Sequence, residues 1–256
     1  MTIGIVVFPG SNCDADTYHV LRDVLSQDAR YVWHRETSLD GLDAVILPGG
    51  FSYGDYLRAG AIASTSPVVR ALRGYAAAGR PVLGICNGFQ TLVETRLLPG
   101  ALLLNAAGEF RCRYVRIRVE RTDTPFTCAL REGEVLRIPI AHGEGRYYLT
   151  DQELARMIVE RQIAFRYCDA AGHATLEANP NGAIDNIAGV ASVSGTVLGL
   201  MPHPERASEA IVGSADGLRI LESVVQWIRT RPAREGATPR RAAAVPAVPA
   251  ASSEGR

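Results

Sequence analysis

The chain has 256 residues, 47% of them hydrophobic, and its 27 basic and 27 acidic residues leave no formal net charge. That length supports one substantial core, and the neutral balance argues against a nucleic-acid or anionic-membrane partner. Every basic residue is an arginine, so a Walker-type lysine and a Schiff-base lysine are both excluded.

The five cysteines, at 13, 86, 112, 128 and 168, are odd in number, widely spaced and form no Cys-x-x-Cys pair. Reduced thiols and no metal site are expected. The N-terminus lacks a basic leader, and its apolar run is too short for a signal or a span, so a cytoplasmic protein is expected.

Short β-rich runs alternate with amphipathic segments, which predicts an α/β domain with a mostly parallel sheet. Residues 3–8 read as a buried strand, and Ser11 or Asn12 as the cap of a helix over about 14–26. In such sheets the crevice lies beyond the carboxyl ends of the strands, so the 9–12 loop could border a site. Strands follow near 30–34 and at 43–47, the latter running into Pro48-Gly49-Gly50-Phe51-Ser52-Tyr53-Gly54-Asp55. A glycine cluster after a buried strand lets backbone N–H groups approach a ligand, here as an oxyanion hole around Gly50 and Phe51, or it is an ordinary turn.

A helix over 60–78 ends at Gly79 and leads into the strand that reaches Gly84-Ile85-Cys86-Asn87-Gly88. Gly-x-Cys-x-Gly is the cysteine form of a strand-to-helix turn that lifts a nucleophile above a sheet edge. The helix start favours the thiolate through unpaired N–H groups and the helix dipole. The backbone of Asn87 would supply a second oxyanion donor, and Gln90, one turn on, either faces substrate or is solvated. A helix runs from about 88 to 97.

Residues 112–120 alternate with period two as a strand with a wet face, its arginines at 111, 113, 116 and 118 being solvated or part of a partner surface. A strand at 135–140 leads to His142 and Glu144 on a glycine loop, where they touch a ligand or order the loop. A helix at 151–162, a strand at 163–167 and a hairpin of 187–193 with 196–200 follow. The hairpin ends in Met201-Pro202-His203-Pro204-Glu205. Extended backbone there puts His203 and Glu205 on one side, so that Glu205 orients an imidazole whose other nitrogen faces the Cys86 thiol. A helix at 214–229 closes the domain. Beyond Arg231 a Pro- and Ala-rich tail cannot bury enough apolar surface to order itself.

Gly-x-Cys-x-Gly-x-Gln at 84–90 together with His203-Pro-Glu205 resembles the class I glutamine amidotransferases. The segments at 8–14, 47–55, 138–146 and 200–206 are similar, more narrowly, to the glutaminase subunits of phosphoribosylformylglycinamidine synthases. The resemblance spans about residues 3–229 and departs at the tail. It implies a three-layer sandwich with helices on both faces of the sheet, an amidotransferase domain over 1–230 and a separate tail at 231–256. It implies a Cys86-His203-Glu205 triad that hydrolyses glutamine, with Gly50, Phe51, Asn87, Gln90 and His142 at the substrate. It further implies no cofactor in this chain, with ATP and magnesium on a separate synthetase subunit, and a small bridging subunit as second partner. Rival readings are a cysteine protease or chaperone of related fold, a glutaminase serving a different synthase, and a non-catalytic regulatory subunit.

Overall fold

The computed structural model describes residues 1–230; the tail expected at 231–256 lies outside the described residues. Among the described residues eleven strands form in chain order: β1 (Thr2–Val7), β2 (Asp28–Trp33), β3 (Ala44–Leu47), β4 (Val82–Ile85), β5 (Ala101–Leu103), β6 (Arg111–Val119), β7 (Val135–His142), β8 (Arg146–Tyr148), β9 (Ile163–Cys168), β10 (Ile187–Ala191) and β11 (Val197–Leu200). The helices are α1 (Asp14–His19), α2 (Pro67–Ala77), α3 (Asn87–Glu94), α4 (Asp151–Val159) and α5 (Leu218–Thr230).

Nine strands make one sheet in the order β2-β1-β3-β4-β11-β10-β9-β6-β7, while β5 and β8 pair separately. The first five of that order are mutually parallel. The next four pairings are antiparallel. Following these directions across the sheet, only β10 and β6 run against the other seven strands. The parallel strands β3, β4 and β11 are buried at every position, as strands covered on both faces must be.

From β1 the chain moves one way to β2, and from β3 the other way to β4. Right-handed crossovers then place α1 and α2 on opposite faces of the sheet, with a crevice at the carboxyl ends of β1 and β3 where the winding reverses. The loops after β1, β3, β4 and β11 all open at that edge.

Several boundaries differ from the sequence reading, each for a local reason. The helix expected over 60–78 starts only at Pro67, because Ser66 before a proline is held extended, at φ −63° and ψ 149°. The helix over 14–26 is α-helical to His19 and then continues as a π-helical turn, Val20–Val24. Neither Ser11 nor Asn12 caps it. The cap position is Cys13, and Ser11 Oγ instead accepts a hydrogen bond from the Phe8 N–H at 3.0 Å. The last helix begins at Leu218 rather than 214, after the left-handed Gly213 at φ 101°. Among the described residues no helix is long and apolar enough to cross a membrane.

Candidate active site

Cys86 follows β4 directly with φ 48° and ψ −104°, a conformation that L-residues with side chains rarely adopt. Its N–H donates to Leu200 O at 2.8 Å and its carbonyl accepts from Gln90 N at 3.0 Å, so strand and helix meet at this one residue. The turn is tight enough to dictate both glycines. A Cβ on Gly88 would lie 2.0 Å from Leu47 O, and one on Gly84 would lie 2.7 Å from the backbone of Gly88. As the first residue of α3, Asn87 has no intrahelical acceptor for its own N–H, which stays open to an oxyanion.

His203 comes from the end of β11, the strand beside β4, and its N–H donates to Pro139 O at 2.8 Å. The imidazole Nδ1 lies 2.6 Å from Glu205 Oε1, with both side chains buried. The sequence reading had this segment extended. In fact Pro204–Arg206 forms a single 3-10 turn, and that turn folds the Glu205 carboxylate back onto the ring. A carboxylate on Nδ1 fixes the tautomer with its proton there. Among the described residues Nε2 meets no hydrogen-bond partner, which leaves it free to exchange a proton. Burial opposes charging of the ring, but the Glu205 carboxylate and then the Cys86 thiolate raise its proton affinity well above the usual imidazole range. The Glu205 carboxylate and the Cys86 sulfur thus both act on the one imidazole.

A second cysteine stands behind the ring. Cys13 Sγ lies 3.7 Å from Nδ1, the nitrogen already engaged by Glu205. Burial pushes its thiol up, against the opposing hydrogen bond to His203, so this sulfur stays protonated and a poor nucleophile. Cys86, with its strained elbow, is the sulfur placed to react.

The remaining expected residues divide. Phe51 N–H donates to Gly10 O at 2.9 Å and is therefore occupied, while its ring is exposed beside Phe110. Gly50, at φ 146°, is crowded by Asn12 N and Gly10 O, each 2.7 Å from where its Cβ would stand. The side chain of Asn87 is locked, accepting from Ser52 N at 3.1 Å and donating to Asp55 Oδ1 at 3.1 Å and Gln90 Oε1 at 2.9 Å. Gln90 is buried and donates to Glu144 O at 2.7 Å, so it ties α3 to the loop after β7. His142 ends β7 rather than sitting on a loop, and it is buried. Burial and then the neighbouring His203 lower its pKa to about 4, so it is neutral, with Nδ1 held by Asn105 Oδ1 at 3.1 Å.

Three groups escaped the sequence reading as parts of this site. Cys13 lies just past the 9–12 loop that the fold class places at the crevice and inside the 8–14 segment that carries the family resemblance, and those were its signals. Asn105 gave none. Asp55, beside Glu144 and partly desolvated, has its carboxyl pushed up to about 6, mainly by burial.

A cysteine on a strained elbow at the carboxyl edge of a parallel sheet, with a buried imidazole–carboxylate pair on the adjoining strand, defines an α/β cysteine hydrolase. Residues 1–229 match the CobB/CobQ-like glutamine amidotransferase domain. The phosphoribosylformylglycinamidine synthase subunit PurQ of Methanosarcina barkeri is 55% identical over 228 residues, covering 89% of this chain and 98% of that one. The PurQ subunit of Moorella thermoacetica is 55% identical over 227 residues, covering 89% and 96%. A solved structure of PurLQS from Thermotoga maritima superposes with a TM-score of 0.78 at 44% identity, covering 89% of this chain and 98% of that one. The chain belongs to the glutamine amidotransferases, and within them to the PurQ family.

Proposed function

We propose that this chain is the glutaminase subunit of a phosphoribosylformylglycinamidine synthase, acting in purine biosynthesis. Cys86 Sγ attacks the side-chain amide carbon of glutamine, and His203 Nε2 takes the thiol proton and returns it to the departing nitrogen. Ammonia leaves, a γ-glutamyl thioester remains on Cys86, and water activated by the same imidazole releases glutamate. Glu205 holds the ring and stabilises its charged form throughout. The N–H of Asn87, with backbone near Gly50, receives the developing oxyanion; the Phe51 N–H, bonded to Gly10 O, is not a free donor in this arrangement. Gln90 and His142 support the walls of the substrate site through the hydrogen bonds they make.

The ammonia passes to a separate synthetase subunit that converts formylglycinamide ribonucleotide to the amidine, with ATP and magnesium bound there and a small bridging subunit joining the two. The absence of lysine and of a phosphate-binding loop in this sequence supports that division. So does the family's solved PurLQS relative.

The observation that carries the reading is the 2.6 Å imidazole–carboxylate contact in electrical reach of a cysteine on the strained elbow. Its test is glutamate release from glutamine by the assembled synthase. Cys86→Ala is expected to lose glutaminase turnover by at least about a thousandfold while the same complex still makes amidine from added ammonium. Retained turnover in Cys86→Ala would refute the assignment.

A further inference from the structure

His203 and Glu205 also belong to a second constellation, whose third member, Cys13, the hydrolytic reaction does not use. Cys13 Sγ, His203 Nδ1 and a Glu205 carboxylate oxygen all lie within 4.8 Å of one another, and all three residues are buried. Independently, Glu205 Oε2 is buried with no hydrogen-bond partner among the described residues. An anionic oxygen held in the interior without a donor is costly, and a cation would satisfy it. Gly49 lets the backbone pack directly against the trio: a Cβ there would stand 2.6 Å from His203 Cε1 and 3.1 Å from Cys13 Sγ.

Thiolate, imidazole and carboxylate are the donors zinc takes, and tetrahedral bonds of about 2.3 Å to sulfur and 2.0 Å to nitrogen put those two atoms roughly 3.5 Å apart. The observed Sγ–Nδ1 distance is 3.7 Å. The 2.6 Å Nδ1–Oε1 contact has to open, to about 3.3 Å, for the ion to sit between them. The charges close as well, since a dication with one thiolate, one carboxylate and a neutral ring sums to zero, so no net charge is buried. The Arg206 guanidinium acts on both Cys13 and Glu205 and opposes the ion, but it is shared with Asp16 at 3.1 Å.

We propose that Cys13, His203 and Glu205 form an inhibitory site for a zinc-class divalent cation, which silences the catalytic imidazole from behind. On binding, Cys13 gives its thiol proton to solvent and the ring proton passes through solvent from Nδ1 to Nε2, which frees the Nδ1 lone pair for the metal and leaves the ring neutral. No covalent bond of the chain is cut and no electron is transferred. A ring protonated at Nε2 has no lone pair left to accept the proton of Cys86. No spacing in the sequence could reveal the site, because Cys13 and His203 are 190 residues apart. The inhibitory consequence rests on the glutaminase reading; the metal site itself does not.

The test uses the full chain carrying Cys86→Ser, which removes the competing sulfur at the elbow. Titration with cobalt(II) is expected to produce a thiolate-to-cobalt charge-transfer band that zinc displaces. Adding Cys13→Ser should abolish the band. Glu205→Gln, which leaves the sulfur and its packing in place, should weaken cobalt binding by at least about tenfold and decides the matter if Cys13→Ser does not fold. With Cys86 intact in the assembled synthase, zinc should stop glutamate release, a chelator should restore it, and Cys13→Ser should require at least about tenfold more zinc. Absence of the band in Cys86→Ser, or its survival when Cys13 is also replaced, overturns the site. A band present in a chain that never hydrolyses glutamine would instead remove the proposed function and leave the metal site standing.

Discussion

Asn105 uses its whole amide. Oδ1 accepts from His142 Nδ1 at 3.1 Å and from Gly145 N at 3.0 Å, and Nδ2 donates to His142 O at 2.9 Å and Glu109 O at 2.8 Å. Asn105→Ala strands a buried imidazole N–H and a backbone N–H together, and the loss is expected to be on the order of 2–4 kcal/mol. Urea unfolding of the isolated chain measures it, and a change below about 1 kcal/mol would mean water replaces the amide. Nothing in the sequence marks this asparagine, since its value lies in partners about 40 residues away that only the fold brings near. Cys86, His203 and Glu205 were legible for the opposite reason. Their chemistry is written in local spacing, two glycines around a sulfur and a carboxylate two residues beyond a ring. Cys13 shows the limit: the loop was legible as a border of the crevice, but which side of His203 its sulfur would face was not.

The strand-to-helix elbow behaves as an element in its own right, because β3, β4 and α3 touch through backbone. A methyl group on Gly88 would lie 2.0 Å from a carbonyl oxygen, which no side-chain rotation relieves. Gly88→Ala is therefore expected to cost more than about 3 kcal/mol or to prevent folding. Gly74, exposed on α2 with nothing within 4 Å of its would-be Cβ, is the control. Gly74→Ala should be neutral or stabilising by up to about 1 kcal/mol. Thermal unfolding of the two variants beside the parent separates steric exclusion from loss of glycine flexibility. Strands were read well at this scale because buried parallel strands are short, unbroken apolar runs. Helix starts were read less well: Pro67 sets the start of α2 by restricting the residue before it, while apolar spacing alone ran the helix back to 60.

The whole molecule's response to pH follows from two buried histidines shifted in opposite directions. Burial lowers the pKa of His142 to about 4 from the usual imidazole value near 6.5, so between those values the unfolded chain binds more protons. Stability is lost as pH falls through that window, by at most roughly 3 kcal/mol. His203 is raised, so its contribution is full below 6.5 and declines as pH climbs toward its folded value. Asp55, pushed up to about 6 by burial and by Glu144, softens the acid side, because its protonated form is the one the fold prefers. A stability maximum near pH 6.5 is expected from denaturant midpoints measured between pH 4.5 and 8.5, and His142→Gln should flatten the acid limb. A maximum unchanged by that substitution would place the acid sensitivity elsewhere.

The fold class and the parallel half of the sheet were legible in the alternation of runs. Its centre was not: β11 hydrogen-bonds to β4 although more than a hundred residues separate them, and no local pattern encodes that insertion. The insertion also orders events during synthesis. A nascent chain still short of residue 197 carries β4 with one open, wholly apolar edge, ready to recruit any passing strand. Ribosome stalling or truncation upstream of that point would yield aggregates rather than a smaller working enzyme, and the sulfur of the elbow would gain its imidazole only once residue 203 has been made.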